Sequence, residues 1–175
     1  MRPGVQALAL EDEGELTIGE KRQSLLASAT AEYVCFIDDD DLVSTDYVRR
    51  IYAALTATDP PDVVGFRLRY FEGAAMAGVA IHSYRAAEIP AHAPPGCHRQ
   101  ERIPNHLNPV RRELALRVGY KRLNFGEDAD YSKRLSELKP REVFIDGYLY
   151  DYIFRHPDTR RHERTNEQRT GRPHG

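Results

Sequence analysis

The sequence predicts an α/β domain, with a mixed, mainly parallel sheet flanked by helices. Two observations carry that prediction. The first is the stretch Tyr33-Val34-Cys35-Phe36-Ile37-Asp38-Asp39-Asp40-Asp41, a short β-branched and aromatic run that stops in four carboxylates. Such a run reads as a buried parallel strand. The second is the order of segments: strand, acids, helix, two strands, loop, two helices, then strands again. Four adjacent acids repel one another and gain nothing from a core. A cation relieves that repulsion, and a hard divalent metal takes oxygen ligands. Ligands of open α/β sheets bind at the carboxyl ends of the strands. The stretch therefore predicts a metal site at a strand end, with phosphate as a further ligand. The competing reading is an acidic turn, with Ser44, Thr45 or Asp46 capping the next helix.

The elements follow in order. Residues 5–10 read as a strand, apolar on both faces, that runs into the acidic turn Glu11-Asp12-Glu13-Gly14-Glu15. Thr17 and Glu20 have capping-box spacing. The helix they open aligns Ile18, Leu25, Leu26 and Ala29 on one face. Lys21 and Arg22 lie in its first turns, where the helix macrodipole does not favour cations. They are either a solvated face or phosphate ligands. After the central strand, residues 46–58 read as a helix with Val48, Ile51, Tyr52 and Leu55 aligned, stopped by Pro60 and Pro61. Residues 63–71 alternate as a half-buried strand. Residues 78–84 pair with it antiparallel across the Glu72-Gly73 turn. Residues 86–104, rich in Pro, Ala and His, read as a loop of the kind that lies over an active site. Asn108-Pro109 opens a helix that ends at Gly119, with Val110, Leu114 and Val118 inward. Residues 127–138 form another, with Tyr131, Leu135 and Leu138 aligned. Residues 142–145 and 148–154 read as two strands around Asp146-Gly147.

At 175 residues the chain suits one domain with a real core. We place a single domain at residues 1–157 and a polar, Arg-rich, disordered tail at residues 158–175. A net charge of −2 implies no nucleic-acid partner. Two cysteines, Cys35 and Cys97, make neither a disulfide framework nor a zinc spacing. No stretch is long and apolar enough for a membrane span, and the start lacks a signal-peptide pattern. The expected location is therefore cytoplasmic.

A second constellation is Asn124-Phe125-Gly126-Glu127-Asp128-Ala129-Asp130-Tyr131, three acids at a helix start. Acids there suit the helix dipole, and Asp130 can pair with Arg134 one turn on. Alternatively one of them is a general base for an attacking hydroxyl.

Taken together, the two constellations resemble the family 2 glycosyltransferases of the A-type, Rossmann-like fold. The match lies in Phe36-Ile37-Asp38-Asp39-Asp40, in Gly19-Glu20-Lys21-Arg22 upstream, and in Gly126-Glu127-Asp128 downstream. The resemblance implies an inverting, metal-dependent transfer from a nucleotide-diphosphate sugar, a UDP-sugar, to an acceptor hydroxyl on a glycan, lipid-linked sugar or protein. It implies Asp128 as the base, with Glu127 the next candidate. It puts Asp38 and Asp39 against the donor and Arg22 and Lys21 on its diphosphate. Glu11 and Asp12 fall where an acid meets the base or ribose. Asp38, Asp40 and His156 would hold Mn²⁺ or Mg²⁺. The chain begins at what looks like the family's second strand, so the first βα unit is expected to be missing. The exposed strand edge this leaves would favour self-association and weaken discrimination between nucleotide bases. A non-catalytic remnant that binds sugar or a partner is the second reading. A haloacid-dehalogenase-type phosphohydrolase is the third, but it needs a small Thr or Val where Leu42 stands. An EF-hand lacks its glycine here.

Overall fold

The computed structural model describes residues 4–90 and 92–154. The sheet is organised on β3 (Val63–Glu72), six of whose residues from Val63 to Leu68 are buried. It pairs antiparallel with β4 (Ala75–His82) across the expected turn, where Gly73 takes a positive φ of 58°. On its other side it pairs parallel with β7 (Glu142–Phe154). The two expected C-terminal strands are thus one strand. The register slips between Phe66 and Leu68, so Asp146 and Gly147 form a bulge within a continuous ladder.

Four short strands complete a seven-stranded sheet: β1 (Tyr33–Val34), β2 (Leu42–Val43), β5 (His98–Arg102) and β6 (Val110–Arg111). The expected mixture of directions is present. β3–β7 and β4–β5 are parallel, while β1–β6, β2–β7, β3–β4 and β3–β6 are antiparallel.

Among the described residues four helices flank the sheet: α1 (Ile18–Ser28), α2 (Tyr47–Leu55), α3 (Arg112–Val118) and α4 (Glu127–Glu137). The capping box at Thr17 and Glu20 opens α1 as read. Its buried stripe differs from the expected one: Gly19, Arg22 and Leu26 are inside, while Ile18 is exposed. Helical spacing alone ranked an aliphatic residue above an arginine, but ion pairing allows the arginine to be buried. In α2 the buried residues are Tyr47 and Ile51, with Val48 and Tyr52 turned to solvent.

Three other expectations are corrected. Residues 5–10 have no ladder partner and are mostly exposed, so they form an extended segment and not a strand. Apolar residues do not make a strand without a neighbour to take their backbone groups. The strand-edge argument for self-association has no strand to rest on. The segment read as loop contains a 3₁₀ turn (Ala86–Glu88) and β5. β5 is polar on both faces, so it carries no apolar alternation to reveal it; β4 supplies its pairing. The helix expected from Pro109 begins only at Arg112. Val64 N–H bonds Pro109 O and Arg111 N–H bonds Asp62 O, which draws residues 109–111 into the sheet first.

The core lies in two clusters. The first joins α2 to β3 and β7 through Tyr47, Ile51, Phe66, Leu68, Leu149 and Tyr150. The second joins α1, α3 and α4 through Leu26, Val63, Val110, Ala115, Tyr131 and Leu135. α1 is held to the segment before α4 by Gly19, whose N–H donates to Leu123 O at 3.0 Å. A Cβ at Gly19 would stand 1.8 Å from Lys121 O, a backbone atom that cannot step aside. Gly19→Ala is therefore expected to cost about 2–3 kcal/mol, in the range of overpacking a tight site, read as a drop in thermal midpoint. An unchanged midpoint would mean the two segments separate freely. Among the described residues no helix is long and apolar enough to cross a membrane.

Candidate active site

The acids emerge at the seam of the two core clusters. Cys35 packs against the first cluster and Phe36 against the second, so successive residues after β1 face opposite sides. Phe36 N–H still donates to His106 O at 2.9 Å, which holds the chain until Asp38. The expected parallel strand is thus two residues long, antiparallel, and followed by an anchored turn.

Two of the four carboxylates, Asp41 and Asp38, have different partners. Asp41 locks the turn. Its oxygens accept from Tyr150 OH at 2.7 Å and from Ile153 N–H at 2.7 Å. The Tyr150 oxygen in turn accepts from Asp38 N–H at 3.1 Å. Burial raises the Asp41 pKa despite those donors. Asp38 faces a cavity of about 670 Å³. Arg22 Nη2 donates to its Oδ1 at 3.0 Å, and His106 Nε2 lies 3.4 Å from its Oδ2. Burial opposes ionisation of Asp38, but His106 and Arg22 outweigh it and hold the carboxyl at about 2.

Arg22 is the link between the two sequence constellations. Its Nη1 donates to Glu127 Oε1 while Nη2 holds Asp38, and the guanidinium lies over the Phe36 ring at 5.9 Å. Arg22 and Glu127 are both buried. Gly126, with φ 78°, caps α4, which presents Glu127, Asp128 and Asp130 in its first turn. Asp130 is tied to Arg134, as its spacing suggested, and also to Lys121, and it does not line the cavity. Asp128 is half-buried and lines the cavity.

The cavity thus gathers Arg22, Asp38, Glu127 and Asp128 of the residues singled out in the sequence. Asp39, Asp40, Glu11, Asp12 and Lys21 are not among its lining. Asp12 instead pairs with Lys21 and accepts Leu16 N–H at 2.8 Å. His156 falls outside the described residues.

Several lining residues were missed. Tyr70, His82, His98, Gln100, Arg102, Asn105, His106 and Tyr152 all contribute. His98, Gln100 and Arg102 come from alternate positions of β5, the strand that read as loop. No periodicity marks them in the sequence, because Arg99 and Glu101 between them are polar too. His82 gave no signal at all, sitting inside an apolar strand. It is 1 % exposed, and its Nδ1 meets Asn108 Oδ1 at 3.0 Å. Burial pushes its pKa down to about 4 against that hydrogen bond. A depressed folded value favours the neutral ring, so its contribution is full above about 6.5 and lost as pH falls through about 4. Stability should therefore decline by about 3 kcal/mol across that window. Chemical denaturation at pH 7 and pH 4 checks this: His82→Asn should flatten the slope, and an equal slope in both proteins would place the acid sensitivity elsewhere.

The four-acid run has the right donor chemistry for a hard cation, but the arrangement in the described residues is incomplete. No three His, Cys, Asp or Glu side chains there converge to hold a metal. Asp38 is engaged by two cationic or donor side chains and Asp41 by two hydrogen bonds.

The fold is one seen among nucleotide-sugar transferases. The chain resembles a crystal structure of Staphylococcus aureus TarS residues 1–349 in complex with UDP-GlcNAc, with TM-score 0.57 and 16% identity over 80% of this chain and 40% of that one. It also resembles the same TarS fragment in complex with UDP, with TM-score 0.53 and 14% identity over 79% of this chain and 40% of that one. The chain therefore spans well under half the length of these structures. A search of curated proteins finds no match. The model of glycosyl transferase family 2 matches residues 11–102, more than half of the chain, and the chain belongs to that family.

Proposed function

We propose that this chain moves a sugar from a UDP-sugar to an acceptor hydroxyl, inverting the anomeric carbon. The observation that carries the reading is Arg22, which joins the strand-end acid Asp38 to the helix-start acid Glu127 at one cavity. Family membership and the UDP and UDP-GlcNAc bound to the TarS structures support the donor class. Asp128 accepts the proton of the acceptor hydroxyl. The freed oxygen attacks the anomeric carbon opposite the nucleotide, and the bond to the diphosphate oxygen breaks. Arg22 stabilises the charge that builds on the leaving diphosphate, and Asp38 meets the donor on the nucleotide side. Glu127 keeps Arg22 aimed. The acceptor wall is β5, with His98, Gln100 and Arg102. Mn²⁺ or Mg²⁺, when bound, would neutralise the diphosphate, with Asp38, Asp40 and His156 as its holders.

Calorimetric titration with UDP and GDP, with Mn²⁺ and with chelator, tests the reading. UDP should bind, about tenfold or more weakly in chelator, and Asp40→Ala should remove that dependence. Undiminished binding in chelator would remove the metal from the proposal. No UDP binding under either condition would remove the donor.

A further inference from the structure

We propose that His82 is a specificity-determining residue, accepting a hydrogen bond through Nε2 from a hydroxyl of the sugar being transferred. The proposal rests on the donor reading above.

The proton on the ring is placed by its surroundings. Asn108 Nδ2 donates to Val64 O at 2.9 Å, and Asn108 Oδ1 accepts Asn105 N–H at 3.0 Å. Those two bonds set the amide orientation, so Oδ1 facing His82 can only accept. Nδ1 of His82 must therefore carry the hydrogen, which leaves Nε2 a bare lone pair. The ring stacks on Phe66, with centroids 6.4 Å apart and planes 14° apart, so it is held in place. Nε2 is buried and has no hydrogen-bond partner among the described residues. Buried polar atoms nearly always find one, so the bare Nε2 lone pair keeps the capacity to accept from a ligand hydroxyl.

His82 is one of the residues that line the cavity, together with Asp38, His106 and Asp128. His106, Arg102 and Asp128 all lie near enough to bias its charge. His106 touches Asp38, as Arg22 does, on the nucleotide side. Asp128 is the proposed base, on the acceptor side. In a direct displacement the transferred sugar must lie between the two. A neutral acceptor nitrogen there selects a donor, and hydroxyls are what a sugar offers. His106 Nδ1 is likewise buried without a hydrogen-bond partner among the described residues.

The test uses the full chain, titrated with UDP, UDP-glucose, UDP-galactose and UDP-N-acetylglucosamine. UDP measures the nucleotide contacts, and the sugar nucleotides measure what the sugar adds. In the wild type at least one sugar nucleotide should bind about tenfold tighter than UDP. His82→Asn keeps an amide N–H for Asn108 and removes the Nε2 position. It should weaken that sugar nucleotide about five- to tenfold and leave UDP within about twofold. His82→Gln, with an amide oxygen nearer Nε2, should recover part of the loss. Deoxy analogues of the same sugar give a reading that needs no variant. One of them should lose a similar factor in the wild type and nothing more in His82→Asn.

Three results overturn the inference. An equal loss for UDP and the sugar nucleotide would make His82 a structural residue. A wild type whose sugar adds nothing to UDP binding, or for which no single deoxygenation matters, would mean that Nε2 serves no sugar hydroxyl, while the nucleotide reading stands. A wild type that binds no UDP would remove the donor reading and this inference with it.

Discussion

Asp128→Asn is expected to leave UDP-sugar binding nearly intact and to cut transfer about 10²-fold or more, the usual scale of a general base. The structure separates this acid from its neighbour. Glu127 is buried, and its Oε1 accepts from the Arg22 guanidinium, which ties its charge to that partner. Asp128 is half-buried at the cavity wall, and the one hydrogen bond described for it, from Ala129 N–H, occupies Oδ1. Its other oxygen remains for a hydroxyl. Glu127→Gln should behave differently: UDP affinity and stability fall more than turnover does, because the charge that holds Arg22 is gone. Single-turnover transfer beside UDP titration distinguishes the two. If Glu127→Gln loses more transfer at equal binding, the base has been assigned to the wrong residue. If neither variant changes transfer, both acids serve only the helix start.

Arg22→Ala should have the largest effect on the folded state. It leaves Asp38 and Glu127 facing one cavity without their shared cation. Breaking a buried pair by removing one partner costs about 3–5 kcal/mol. Asp38 keeps 31% side-chain exposure, so water screens part of the loss and we expect about 3 kcal/mol, a fall of roughly 6–12 °C in the thermal midpoint. UDP affinity should fall as well, because the residue is also the proposed diphosphate contact. Arg22→Lys should restore charge but not both contacts, since one ammonium cannot replace the planar fork. A midpoint within about 2 °C of wild type, with UDP binding unchanged, would mean the bridge is incidental.

Much of this was legible without coordinates. The Thr17 to Glu20 box, the β3–β4 hairpin, the end of α3 at Gly119 and the start of α4 at Glu127 are local events. Capping, turn and glycine chemistry act within a few residues, so the sequence carries them directly. The two acidic constellations were also visible, because clustered like charges need an outside reason. β5 was not legible. Its residues are polar on both faces, and only the neighbouring β4 makes them a strand. Residues 5–10 failed in the opposite way: the apolar pattern was there and the partner was not.

Composition and local pattern by themselves determined an α/β domain with acids at a strand end, acids at a helix start and a basic residue on α1. Only the tertiary structure decided what each charge does. It made Asp41 a lock for the turn, set Arg22 between Asp38 and Glu127, and left Asp128 at the cavity wall. It also buried His82 with one nitrogen satisfied and the other bare. The reason is that a carboxylate or an imidazole has no role of its own. Its role follows from the donors, cations and water around it, and those come from segments as far apart in the chain as Arg22 and Glu127.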